Sequence, residues 1–471
     1  MTDTLAPDIC VIGAGAAGLS VAAAAAAFGV PVVLIERGKL GGDCLNTGCV
    51  PSKALIAAAR HAAGFGEATG FGVAGGAATV DFARVRQHVR DVIAAVAPND
   101  SKARFTGLGV RVIEGTARFT DAATVAVDDR FAIKARRVVI ATGSSPALPP
   151  IAGLAETPHL TNETIFDLDA CPRHLVVIGA GPVGLELAQA FRRLGAAVTV
   201  LEAATPLGHD DPECAAVVLD RLARDGVVVR AGVAIARVAR VGDGIEVAID
   251  GETITGSHLL VAAGRAATVD GLNLDAAGIT VERGAIVVDK RLRTTNKKVY
   301  AIGDVAGGPQ FTHVANYQAG LVVRNALFRL PVTANYDALP RVTFTDPELA
   351  HVGLTEAAAK ARKYHFRVLR WPYHENDRAV AERATAGHIK IIVTRRGRIL
   401  GATIVGRNAG ELICTWVLAI EQRLNIRAIA GTVVPYPTLA EIGKRAAITH
   451  FAAGLTRPAV RRIIAWLRRF G

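Results

Sequence analysis

The segment GGDCLNTGCVPSK, residues 41–53, places Cys44 and Cys49 beside a helix start with four residues between them. That spacing suits a reversible disulfide. Pro51 fits the first turn of a helix, where its missing amide proton goes unused, and residues 54–63 continue as strong helix formers. Cys49 therefore lies near a helix N-terminus. The partial positive charge there, with Lys53 one turn on, depresses a thiol pKa and favours the thiolate that does redox chemistry. The competing reading is two buried, inert cysteines, and the flanking glycines with the VPSK helix start favour the redox pair.

Such a pair needs elements to position it and something to supply electrons. Residues 8–37 run as an apolar strand, a Gly-x-Gly-x-x-Gly turn at Gly13, Gly15 and Gly18, an alanine helix, a second strand, and Glu36. This is the pattern of a nucleotide-binding βαβ unit: the glycines let the backbone approach a pyrophosphate at the helix N-terminus, and the terminal carboxylate binds ribose hydroxyls. The same unit returns over residues 174–203, with Gly179, Gly181, Gly184 and Glu202 each displaced by 166 positions. The repeat predicts two dinucleotide sites. Glu186, inside the second unit's helix, is costly to bury without a partner. Lys53 is the candidate partner, and an exposed Glu186 is the alternative.

The cysteine segment resembles the redox-active signature of the pyridine nucleotide-disulfide oxidoreductases, the family of dihydrolipoamide dehydrogenase, glutathione reductase and mercuric reductase, and the resemblance covers nearly the whole chain. It implies that Cys44 exchanges with substrate while Cys49 is a charge-transfer thiolate against a flavin. It implies FAD in the first unit, NAD in the second, and a Lys53–Glu186 pair beside flavin N5. The ATG turn at Thr142 and Gly143 resembles the end of the first flavin segment, and Gly303–Asp304 the second contact, where the Asp bonds the ribityl chain. Ser257 to Arg265, containing Gly264, resembles the strand and turn that close the nucleotide domain. His313, in a helix near the same site, is assigned no chemistry. From about Asn335 the chain resembles the family's interface domain, which forms homodimers whose partner residues complete each active site.

Two positions depart from the family pattern. Asp43 stands where Thr is usual, which bears on substrate access and cysteine potential. The His-Pro-Thr-x-x-Glu motif reads YPTLAE over residues 436–441, so Pro437, Thr438 and Glu441 are kept but the proton-transfer residue is Tyr436. Mercuric reductases make the same His-to-Tyr change, yet they bear a C-terminal cysteine pair, and no cysteine follows Cys414 here. The usual metal-binding N-terminal extension is also expected to be absent. No metal site is predicted.

With 471 residues the chain exceeds one ordinary core. The expected fold is α/β: two Rossmann-like dinucleotide-binding domains plus an α+β C-terminal dimerisation domain. The expected boundaries are 1–152 with 272–338 for FAD, 153–271 for NAD(P), and 339–471 for the interface. Six cysteines form no disulfide framework, which fits a reducing cytoplasm. The uncharged run 9–35 is punctuated by glycines and Pro31 as strand, turn, helix and strand, so it is not a membrane span. A net charge of +12 comes without aromatic-basic interleaving or zinc spacing, and no nucleic-acid partner is expected.

The expected activity is an FAD-dependent oxidoreductase carrying electrons from NADH through Cys44–Cys49 to a small disulfide, a quinone or another small oxidant. The alternatives are dihydrolipoamide dehydrogenase or mercuric reductase proper, or a catalytically idle flavin-binding subunit. NADH is expected over NADPH, because Glu202 is followed by Ala203, Ala204 and Thr205 with no adjacent Arg for a 2′-phosphate. Finally, residues 457–470 set an apolar helical stripe opposite five arginines, which suits peripheral contact with anionic lipid or packing on its own domain.

Overall fold

The computed structural model describes residues 3–74, 76, 78–455 and 458–470. The chain gathers into two compact units: Met1–Ile178 with Ile235–Ala334, and Gly179–Ala234 with Asn335–Gly471.

In the first unit, a five-stranded parallel sheet runs in the order Val299–Ala301, Arg137–Ile140, Ile9–Ile12, Val32–Glu36, Arg111–Glu114. Three consecutive strands thus run one way from Ile9–Ile12 and two the other, and the switch between them is where nucleotides bind in doubly wound sheets. Its central strands are apolar except at the charged ends Glu36 and Arg137, because both faces are covered. One face carries the alanine helix Ala16–Ala27 and the helix Thr312–Ala326 in a single core. The other is covered by an antiparallel layer formed by Ala117–Phe119, Val125–Val127 and Phe131–Ile133.

Three sequence expectations are adjusted here. The short alternating segments Val110 to Ile113 and Thr124 to Val127 suggest a β-meander from sequence, but the first joins the parallel sheet, where Arg111–Glu114 completes the edge by pairing with Val33–Glu36. The cysteine helix runs from Cys49 to Glu67, well past Ala63, since Gly64 and Gly66 sit on its exposed side and meet no packing requirement that would end it. The sequence from Asp81 to Arg104 reads as one helix, but the structure divides it into Phe82–Val96 and Lys102–Gly107, broken at Pro98 and restarted by Ser101, whose side chain accepts from the Arg104 amide. Ser144–Pro146 and Arg265–Ala267 pair antiparallel in a two-stranded ribbon.

The second unit holds the helix Pro182–Arg193, the parallel strands Ala197–Glu202 and Val227–Ala231, and a five-stranded antiparallel sheet. That sheet includes the hairpin His388–Thr394 and Ile399–Gly406, turned at Gly397 with φ +84°, as its two apolar runs suggest. The helices Ala409–Glu421 and Glu441–Leu455 pack on it around Trp416.

Candidate active site

Cys44 lies in the short helix Gly42–Asn46 and Cys49 is the first residue of Cys49–Glu67, so a single glycine-bounded turn brings the two thiols together. They hydrogen-bond each other. The Cys44 thiol donates, which brings Cys49 down to about 6, helped by the Thr312 hydroxyl at 3.4 Å and the Lys53 charge. The same bond pushes the Cys44 thiol up. The pair is thus asymmetric, with one exposed thiolate and one thiol that serves it.

Asp43 is anchored, not projecting into the mouth. Its carboxylate accepts from the Thr47 hydroxyl at 2.7 Å and the Asn162 amide at 2.9 Å, and pairs with Arg265 at 3.3 Å. Arg265 in turn donates to the Ser144 hydroxyl at 2.7 Å and its carbonyl at 2.8 Å. Ser144 donates to Asp304 at 2.5 Å. The Asp43 charge, the ATG turn and the Gly303–Asp304 turn therefore belong to one network. Thr142 donates to the Thr268 carbonyl at 2.7 Å and Gly143 takes φ +70°, which fixes that turn. Gly264 takes φ +140° just before Arg265.

The first nucleotide loop fits a flavin dinucleotide. Gly15 caps the helix Ala16–Ala27 without a side-chain hydrogen bond, leaving the first-turn amides for phosphate. A Cβ on Gly18 would stand 1.9 Å from the Gly13 carbonyl oxygen, and one on Gly42 would stand 2.7 Å from the Gly15 Cα. Only a chain of glycines leaves this cradle open. Glu36 accepts from the Ala14 amide at 2.6 Å and the Gly38 amide at 2.8 Å, which holds its carboxylate at the strand end.

The second loop repeats these bonds. Glu202 accepts from the Ala180 amide at 2.7 Å and the Ala204 amide at 2.8 Å, and Gly179 and Gly13 have φ of +108° and +103°. Gly181 caps Pro182–Arg193 as Gly15 caps its helix, and Gly184 lies in the first turn. Glu186 is 5 % exposed, so the exposed alternative is excluded, and its carboxylate accepts from the Phe344 amide at 2.8 Å.

Tyr436 is 68 % exposed and donates to the Asp377 carboxylate at 2.8 Å. That bond raises its pKa, so the phenol holds its proton more firmly than a free tyrosine. Glu441 opens the following helix. Sequence reasoning missed Asp377, Asn162 and Thr312. Each reaches its partner across 59 to 263 positions, and no local pattern marks them. Among the described residues no group of three or more His, Cys, Asp or Glu side chains is placed to hold a metal ion.

The comparisons with known proteins agree with this geometry. The pyridine nucleotide-disulphide oxidoreductase family matches residues 7–319 and its dimerisation domain residues 339–447. The chain belongs to this family of FAD-dependent enzymes that use a pyridine nucleotide, and it carries the family's dimerisation domain. It is 37 % identical to a mercuric reductase of Bacillus cereus, over 94 % of this chain and 71 % of that protein. It is 36 % identical to a dihydrolipoyl dehydrogenase of Geobacillus stearothermophilus, over 93 % and 94 %. The HOCl-induced flavoprotein disulfide reductase RclA from Escherichia coli, solved as a Cu(II) complex, superposes with a TM-score of 0.86 at 28 % identity, covering 94 % of this chain and 99 % of that one.

Proposed function

We propose that this chain is an NADH-dependent flavoprotein reductase that passes two electrons through the Cys44–Cys49 disulfide to a small disulfide, a quinone or another small oxidant. It works as a homodimer in the cytoplasm, with FAD bound by residues 1–152 and 272–338, NAD by 153–271, and the interface in 339–471. The observation that carries the reading is the asymmetric thiol pair: Cys49, lowered to about 6, is the thiolate at neutral pH, and Cys44 keeps the proton.

FAD, when bound, accepts hydride from the nicotinamide and hands an electron pair to sulfur. In this reading Gly13, Gly15, Gly18, Glu36, Thr142, Gly143 and Asp304 hold it. Gly179, Gly181, Gly184, Glu202 and Gly264 hold NAD, and Lys53 with Glu186 forms the pair beside the flavin. Two electrons break the Cys44–Cys49 bond and leave a thiolate on Cys49 and, with one proton taken up, a thiol on Cys44. Transfer to a disulfide acceptor restores that bond and releases two thiols, with protons from Cys44 and from solvent. The partner subunit's copy of the Tyr436 phenol holds or protonates the oxidant, and Glu441 stands in the same motif.

Thiol oxidation needs the opposite, a base with a pKa near the working pH. A phenol whose proton is held by Asp377 fails that condition, so dihydrolipoamide oxidation should be slow at neutral pH and rise toward alkaline pH. A second reading, with mercuric ion as the acceptor, is favoured by the relatives at 37 % identity and by tyrosine at position 436. Anaerobic NADH titration is the primary test. A working reductase develops a long-wavelength thiolate-flavin band after two electrons, and an idle flavin subunit does not. An oxidant screen then separates the acceptors. Dihydrolipoamide turnover in the hundreds per second at neutral pH, well above the ~10 per second typical of enzymes, would refute the role given to Tyr436.

A further inference from the structure

Residues 457–470 carry five arginines and no acidic residue, and so supply five of the chain's net twelve positive charges. Within them Pro458–Leu467 is helical. At 100° per residue, Val460, Ile463, Ile464 and Leu467 fall on one face, while Arg461, Arg462, Arg468 and Arg469 project from the other, with Trp466 at the boundary. No side chain of this helix is buried. Ile463, Ile464, Trp466, Leu467 and Phe470 are between 50 % and 71 % exposed, and Trp466 and Phe470 meet edge to face on the open side. Packing on its own domain, the alternative the sequence leaves open, would bury that face.

An apolar stripe of this kind needs a cover, and charge selects which one. The polar face of this helix carries arginines and no acidic residue, and a second copy would bring the same arginines, so the cover that matches it is anionic. An anionic bilayer offers both halves of what the helix presents: acyl chains for the isoleucines and leucine, an interfacial layer for Trp466, and phosphates for the arginines. No described helix is long and apolar enough to cross a membrane. The helix therefore suits lying in the surface plane.

We infer that Pro458–Leu467, with its flanking arginines, is an interfacial helix that docks this enzyme on an anionic lipid surface, the apolar face entering between headgroups and the arginines pairing with lipid phosphates. The inference is independent of which oxidant the active site reduces.

The test is flotation of the full-length holoenzyme with vesicles of phosphatidylcholine and phosphatidylglycerol, against vesicles of phosphatidylcholine alone. The full chain should float with the anionic vesicles and not with the neutral ones. A chain stopped after Thr456 should stay down with both while keeping its flavin and its oxidation of NADH. Full-length protein with Arg461→Gln and Arg462→Gln should partition about 25-fold more weakly, at roughly fivefold for each arginine. This variant keeps the helix, so it carries the test if the shortened chain does not fold. Equal flotation of the full and shortened chains, or of the double variant and the parent, would overturn the inference. So would a shortened chain that falls from dimer to monomer without any change in lipid binding, since a second copy would then be the cover.

Discussion

In the first nucleotide loop, Gly42 of the cysteine segment lies so close to Gly15 that a Cβ on it would come within 2.7 Å of the Gly15 Cα, and Gly13 is similarly shut against the Ala141 carbonyl. At Gly15 itself a Cβ would stand 3.8 Å from the Gly42 Cα, whereas at Gly181, its counterpart in the second loop, a Cβ would meet nothing within 4 Å. The hydrogen bonds that shape the two loops are nearly identical, so the difference lies in what closes over them. One loop is enclosed by its own chain and suits a nucleotide that stays. The Gly181 turn has no such neighbour and, in the proposed reading, takes the nucleotide that comes and goes at every turnover. In the proposed reading a single βαβ device would act both as a permanent mount and as an exchange port, with packing around the loop setting which.

The largest expected effect comes from breaking the closed loop. Gly18→Ala sets a methyl 1.9 Å from the Gly13 carbonyl oxygen, which backbone cannot accommodate, and the purified variant should lose most of its flavin absorbance. Gly181→Ala should keep its flavin and show only a raised KM for NADH. If both variants lose flavin alike, the two loops are not functionally distinct.

Next in size is the carboxylate at the strand end. Glu202→Ala should raise kcat/KM for NADPH relative to NADH by about 10- to 100-fold, because a 2′-phosphate no longer meets a fixed negative charge. Glu36→Ala, its counterpart in the closed loop, should leave the nucleotide ratio where it was and weaken flavin retention. A parent enzyme that already prefers NADPH would reverse the assignment.

The smallest effect concerns the cysteine pair. Cys49 carries its thiolate above about pH 6 and loses it as pH falls through that value, so the long-wavelength band of the two-electron-reduced enzyme should fade across that range. Thr312→Val removes one donor to the sulfur and should move the midpoint upward. A band that is flat from pH 5 to 8 in both proteins would mean that another group fixes the thiolate.

Much of this site can be read in the chain because its devices are local. Both glycine loops, the acid ending each second strand and the cysteine helix start are spelled within about thirty residues. The parts that escape are those made by distant segments. Thr312 reaches Cys49 from the start of another helix, and Asn162 reaches Asp43 from a loop, each through one side-chain bond that leaves no periodicity behind. Asp377 was hidden for a further reason: the family motif directs attention to Glu441, whereas the Tyr436 phenol bonds the acid at the N-terminus of Asp377–Ala381. The edge strand Arg111–Glu114 resembled a meander because its alternation is that of a half-covered strand, and alternation does not tell which sheet a strand joins.

The anchored carboxylate of Asp43 bears on the electrochemistry of the pair. Beside the larger effects of the Cys44–Cys49 bond and burial, its negative field opposes a thiolate at either sulfur, which disfavours reduced sulfur relative to the disulfide and would push the midpoint potential of the couple negative. Arg265 at 3.3 Å confines that field, so the displacement is on the order of tens of millivolts. A threonine there would carry no charge, and Asp43→Thr, measured by redox titration against a dye of known potential, should shift the midpoint upward. In the proposed reading the pair would then meet its acceptor with a stronger driving force than the same cysteines would have beside an uncharged neighbour.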